Sequence, residues 1–116
     1  MNREEYVERL KQICALYADI LGVVILFGSY SRNEATEDSD IDLYIEPIDK
    51  KMTTAKFDAN KRYKEFKYTL YNTFEKEFDL LAYGGKRDLD NIRKSPLWKQ
   101  ILKDGIVLYD QEGKIL

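Results

Sequence analysis

The sequence predicts an α/β domain in the loose sense, formally α+β: a mixed sheet of three to four strands with helices packed on it. Three observations carry that expectation. Two short apolar runs, 23–27 and 41–46, have strand length and composition and flank a polar loop. A third such run, 78–83 (FDLLAY), follows a long amphipathic segment and is broken by Gly84-Gly85. Between and around these runs, apolar residues recur at helical spacing.

The elements follow in order. Residues 3–18 place Tyr6, Leu10, Ile13 or Cys14, and Tyr17 on one helical stripe, with Asn2 as N-cap and Glu4 and Glu5 in the first turn. Ile20-Leu21-Gly22 turns the chain into a strand over 23–27, apolar on both faces and therefore central. Residues 29–39 connect it to a second strand, with one helical turn expected at 31–35. That second strand, 41–46, is closed by Pro47. One long helix is expected from about Thr54 to Lys76, with Ala59, Tyr63, Phe66, Leu70 and Phe74 on its apolar stripe. Lysines and Arg62 on its other side read first as a solvated face. After the strand 78–83, two short helices are expected at 88–94 and 96–104, with Pro96 in the first turn of the second and Gly105 as its C-cap. Residues 106–109 form a last short strand. The first two strands should be neighbours, and helices should cover one face of the sheet and its ends.

Composition narrows the chemistry. With 116 residues there is one domain, 1–116, and one core. A net charge of −2 gives no global attraction to nucleic acid or to an anionic membrane. The chain has no histidine, which removes Ser-His and Cys-His catalysis and histidine-ligated zinc. Its single cysteine, Cys14, lies in a helical apolar pattern and reads as core. The apolar run 20–27 is far short of the ~20 residues a spanning helix needs. With no signal peptide visible, the expected location is cytoplasmic.

The chemistry concentrates in 23–46, VVILFGSYSRNEATEDSDIDLYIE. Strand alternation puts Asp40 and Asp42 on one face, with Ile41 and Leu43 packed beneath. Two carboxylates sharing a face repel unless a cation sits between them, and a hard divalent cation prefers such oxygen ligands. The Gly28-Ser29 turn after the preceding strand offers backbone N–H groups and a hydroxyl for a phosphate. A third acid, Asp79, stands in the later strand. Together these features point to phosphoryl or nucleotidyl transfer.

Gly-Ser, ten residues, then Asp-Ile-Asp, with a later strand acid, resembles the DNA polymerase beta-like nucleotidyltransferase superfamily. More closely, the chain resembles the minimal nucleotidyltransferases (MNT), over nearly its whole length and including the closing KDGIVLYD. The resemblance implies the nucleotidyltransferase fold, with Asp40, Asp42 and Asp79 as catalytic acids and ligands of two Mg²⁺ ions. It also implies that Gly28, Ser29, Arg32 and Ser39 bind the nucleotide, with ATP as substrate. Many relatives carry glycine after that arginine. Here Asn33 stands in its place, a residue that tolerates left-handed backbone.

In proteins like MNT the acceptor is a tyrosine of a HEPN-type helical toxin, which the MNT protein AMPylates as its antitoxin. The resemblance therefore implies that partner, with no membrane and no direct nucleic acid contact expected, and leaves a homodimer open. Two alternatives stand beside this reading. One is an antitoxin that neutralises by binding alone; the other is a small-molecule nucleotidyltransferase, disfavoured by the lack of an acceptor domain.

Overall fold

The computed structural model describes residues 1–113. In chain order the elements are α1 (Arg3–Leu16), β1 (Leu21–Phe27), β2 (Ile41–Pro47), α2 (Thr54–Ala59), α3 (Lys61–Phe74), β3 (Phe78–Ala82), α4 (Lys86–Arg93), α5 (Pro96–Asp104) and β4 (Ile106–Asp110). The strands form one mixed sheet in the order β3-β2-β1-β4. β1 pairs antiparallel with both β2 and β4, while β2 and β3 run parallel. A parallel pair cannot be closed by a tight turn. Here α2 and α3 supply the crossover from β2 to β3.

Side-chain alternation divides the apolar residues between the two faces. Val24, Leu26, Ile41, Leu43, Ile45 and Leu108 pack with α1, α2 and α3 in one core cluster. Val23, Ile25 and Tyr44 point the other way and meet Ile92 of α4 and Trp98 and Ile101 of α5 in a second cluster. Helices therefore cover both faces, where the sequence led us to expect one face and the ends. The double coverage explains why β1, one of the two central strands, is apolar throughout.

The capping chemistry at α1 is as the sequence indicates. Asn2 Oδ1 accepts from the Glu5 N–H at 2.9 Å, and Glu5 Oε1 accepts from the Asn2 N–H at 3.3 Å. Leu10, Ile13, Cys14 and Tyr17 are buried on the expected stripe. Burial pushes the Cys14 thiol up to about 12, which makes it unreactive at neutral pH.

The expected single helix over 54–76 is two. Asn60 has extended backbone (φ −67°, ψ 130°), ends α2 and starts α3, and its side chain accepts from the Tyr63 N–H at 3.0 Å. The helix therefore turns a corner at Asn60. Phe57, not Ala59, is the buried residue of α2, and its ring stacks on Tyr63 at 4.1 Å. The remaining stripe, Tyr63, Phe66 and Leu70, is buried as expected.

On the second face, α4 is tied to the sheet by a buried ion pair. Glu46 of β2 is 1% exposed, and its Oε2 accepts from both the Tyr44 hydroxyl and the Arg93 guanidinium. The Arg93 guanidinium also lies over the Trp98 ring, 4.3 Å from its centre.

Two stability measurements test this description by urea unfolding. Asn60→Ala removes the cap of α3 and should cost about 1 kcal/mol. Arg93→Met leaves the Glu46 carboxylate buried with one hydroxyl donor, and should cost about 2 kcal/mol. That is below the range for fully buried pairs, because Arg93 itself is partly solvated. If Arg93→Met were neutral, the pair would not be what anchors α4.

Candidate functional site

The site lies at the end of the sheet where β1 stops and β2 and β3 begin. The register places Asp42 directly beside Asp79 across the parallel pair and beside Phe27 across the antiparallel one. Asp42 and Asp79 share the face occupied further along by Tyr44 and Leu81. Asp40 immediately precedes β2, close enough for its charge to act on Asp42. Asp42 is half-buried, while Asp40 and Asp79 are exposed. Beneath them Ile41, Leu43 and Phe78 are buried in the opposite core.

Electrostatics link these residues. The Asp42 carboxyl is held above the usual carboxylate range, first by its partial burial and then by the negative charges of Asp79 and Asp40. The Arg32 guanidinium acts on it in the opposite sense. Arg32 is itself exposed and 3.5 Å from Glu34 Oε2.

Gly28 follows β1 directly and has φ +74°. A Cβ built there would fall onto the Asp42 carboxylate, so glycine is required both for the backbone and for the space. The chain then makes one turn of helical type. Gly28 O accepts from the Arg32 N–H and from the Ser31 hydroxyl, and Ser29 O accepts from the Glu34 N–H. This turn begins about three residues earlier than the sequence indicates. Asn33 is left-handed (φ 58°), the conformation that asparagine was expected to tolerate there.

The predicted site residues thus separate into groups. Asp40, Asp42, Asp79, Gly28 and Arg32 come together around one rim, and Ser29 sits in the turn that borders it. Ser39 has its hydroxyl engaged within the loop, where it accepts from the Thr36 N–H at 2.8 Å. It shapes the approach to Asp40. Two residues of the surroundings carry no sequence signal: Arg3 and Lys76 bond the backbone of this loop from distant elements.

Among the described residues, no three acidic, histidine or cysteine side chains converge into a ready-made metal cage. The donor chemistry of the rim nevertheless suits a hard divalent cation. Its oxygens are carboxylates that repel one another, and Mg²⁺ is commonly held by one or two carboxylates together with substrate phosphates.

No curated protein matches the sequence. Solved structures do. A toxin–antitoxin complex with AMP-PNP is 20% identical, with 90% of this chain and 77% of that chain covered and a TM-score of 0.57. A double aspartate-to-glutamate mutant of the toxin–antitoxin MntA–HpeT is 18% identical, with 95% and 74% covered and a TM-score of 0.56. The tri-AMPylated Shewanella oneidensis HEPN toxin in complex with MNT antitoxin gives 18% identity, 95% and 74% coverage and a TM-score of 0.54. At these identities the likeness is one of fold. The sequence itself matches the family described as polymerase beta, nucleotidyltransferase, over residues 8–114. With a Gly-Ser turn abutting Asp-x-Asp on a mixed sheet and a family match across almost the whole sequence, the chain belongs to the polymerase beta nucleotidyltransferase family.

Proposed function

We propose that this nucleotidyltransferase moves AMP from ATP, with Mg²⁺, to a tyrosine hydroxyl of a HEPN-type toxin, and so acts as its antitoxin. The observation that carries the reading is the pairing of Asp42 with Asp79 in register, with the Asp40 charge acting on Asp42 and Gly28 packed against it. A protein that only binds has no use for carboxylates placed so as to repel one another. The similar structures support the choice of donor and acceptor: one was solved with AMP-PNP and another contains an AMPylated HEPN toxin. MntA–HpeT was also solved with two aspartates, two positions apart, changed to glutamate, a spacing shared by Asp40 and Asp42. A further form of that complex carries a tyrosine-to-alanine change.

In this reading the roles follow from placement. Gly28, with no side chain, lets the triphosphate approach the backbone, and Ser29 adds a hydroxyl. Arg32 is exposed, and its partner Glu34 is a surface acid, so the guanidinium can exchange that pair for a phosphate. Asp40, Asp42 and Asp79 would hold Mg²⁺, which neutralises charge on the phosphates and lowers the barrier to in-line displacement. Asp79, the exposed acid on an edge strand, is the one an incoming hydroxyl can reach, and it takes the proton. The acceptor oxygen bonds to the α-phosphorus as the bond to the β-phosphate oxygen breaks, and pyrophosphate leaves with its electron pair. Positioning and charge neutralisation supply the catalysis, so the absence of histidine is no obstacle.

The direct test is the intact mass of the HEPN partner after incubation with this protein and Mg²⁺-ATP. Addition of AMP is expected, and Asp42→Asn should reduce its rate about a hundredfold or more while leaving the complex intact. A tight complex with no added mass, under conditions where ATP binds, would replace this reading with an antitoxin that acts by binding alone. Gly28→Ala is the second probe. Its methyl group would displace Asp42 and strain the turn, so activity should fall about tenfold or more with little change in partner affinity.

A further inference from the structure

The loop from Gly28 to Asp40 carries most of the nucleotide-facing residues yet contains no regular element beyond its first turn. Its two halves are closed internally. Residues 28–34 form the helical-type turn, and residues 36–39 are closed by the Thr36–Ser39 bonds, N–H to Oγ at 2.8 Å and the Ser39 N–H to Thr36 O at 3.1 Å. Nothing in these bonds fixes the loop on the domain. Burial of Tyr30 and Ser31 seats its first half, and two cationic side chains from outside it bond its backbone. Arg3, at the start of α1, donates to Ser31 O at 3.0 Å. Lys76, between α3 and β3, donates to Glu37 O at 2.7 Å.

Lys76 is the more telling of the two because of what adjoins it. The next residue, Glu77, accepts from the Ile41 N–H at 3.0 Å, and two residues later stands Asp79. The short segment 76–79 therefore touches the loop before Asp40, the strand after it, and the third carboxylate. The Lys76 ammonium also lies 5.9 Å from the centre of the Tyr30 ring. Tyr30, buried in the loop together with Ser31, is seated edge-on against Tyr6 at 5.0 Å. An open pocket of about 630 Å³ lined by Arg3, Tyr6, Tyr30, Thr36, Glu37 and Lys76 adjoins the loop, and Thr36 and Glu37 are exposed, so packing does little to hold that end of it.

We propose that Lys76 is a positioning residue that clamps the Gly28–Asp40 loop through the Glu37 carbonyl and thereby sets affinity for the nucleoside triphosphate. Two of the three carboxylates, those in the strands, do not depend on it. Asp42 and Asp79 are fixed by the β2–β3 ladder, and the Ile41–Glu77 bond is backbone to backbone. Loss of the clamp should therefore weaken phosphate binding and leave the chemical step nearly unchanged. For the nucleotide, this role rests on the transferase reading above; the ordering of the loop does not.

The test compares the intact protein with Lys76→Met and Lys76→Arg. Amide hydrogen exchange is read at Glu34, Thr36 and Ser39, and Mg²⁺-ATP binding and turnover are read on the same samples. Lys76→Met should accelerate exchange at these amides about tenfold, with the urea midpoint unchanged. It should raise Kd and KM for ATP about five- to tenfold and keep kcat within about twofold. Arginine, which can reach the same carbonyl and has room in the pocket, should restore both. Unchanged exchange in Lys76→Met would overturn the clamp whatever the nucleotide does. Faster exchange with unaltered ATP affinity would overturn its role in binding. If the unaltered protein binds no ATP, the transferase reading fails, and exchange still decides whether Lys76 holds the loop.

Discussion

The parallel register of β2 against β3 is the constraint on which the rest of this structure depends. It sets Asp42 beside Asp79 on neighbouring strands, roughly 4.8 Å apart at the backbone. Bringing two such charges together at a partly solvated surface opposes folding by a few kcal/mol. The same strands bury Ile41, Leu43 and Phe78 on the opposite face, each worth about 1.5–3 kcal/mol. The apolar side of the pair outweighs the polar side, and the register is locked. A slip by one residue would send the carboxylates into the core and the apolar residues into solvent. The acid cluster is therefore held in place by residues that take no part in the chemistry.

Each neighbouring element serves that register. The crossover through α2 and α3 makes a parallel pair possible, and the corner at Asn60 lets both helices follow one face of the sheet. β1 pairs antiparallel with β2 so that Phe27 stands opposite Asp42, and the next residue must pass close to that carboxylate. Gly28 is the residue that can do so. On the other face α4 and α5 cover the far part of the sheet around Tyr44 and Trp98. The Asp42 end on that face is left open to solvent.

Much of this was legible in the residues, for reasons that can be named. The strands around the site are short, apolar and bounded by turn residues, and Asp40-Ile41-Asp42 has the alternation of a strand leaving a loop. Asn33 could be assigned a left-handed backbone because few other non-glycine residues adopt one readily. Asn60 was not legible as a break, since the aromatic spacing after it continues a helical pattern and an asparagine inside a helix costs little by propensity. The two short helices that became α4 and α5 were expected, but their packing on the second face was not, because spacing within a helix does not say which side of a sheet it covers. Ser39 was read for its position before the first acid, whereas its hydroxyl bonds locally to Thr36, a competition that serine offers in any loop. Lys76 and Glu37 lie 39 positions apart, and no periodicity links a lysine to a distant carbonyl.

The exposure of the three acids bears on the proposed transfer to a protein acceptor. Asp42 is half-buried, while Asp40 and Asp79 are open, and Asp79 lies on the edge strand of the sheet. A carboxylate at the edge is reachable from the side, where an acceptor too large to enter a cleft can still present one hydroxyl. The half-buried Asp42, flanked by two like charges, is where a cation is most strongly favoured. The rim thus grades from a metal-favouring interior to an acceptor-accessible edge within two strands. In the proposed reading, phosphate oxygens and water would complete the ligands of such a metal.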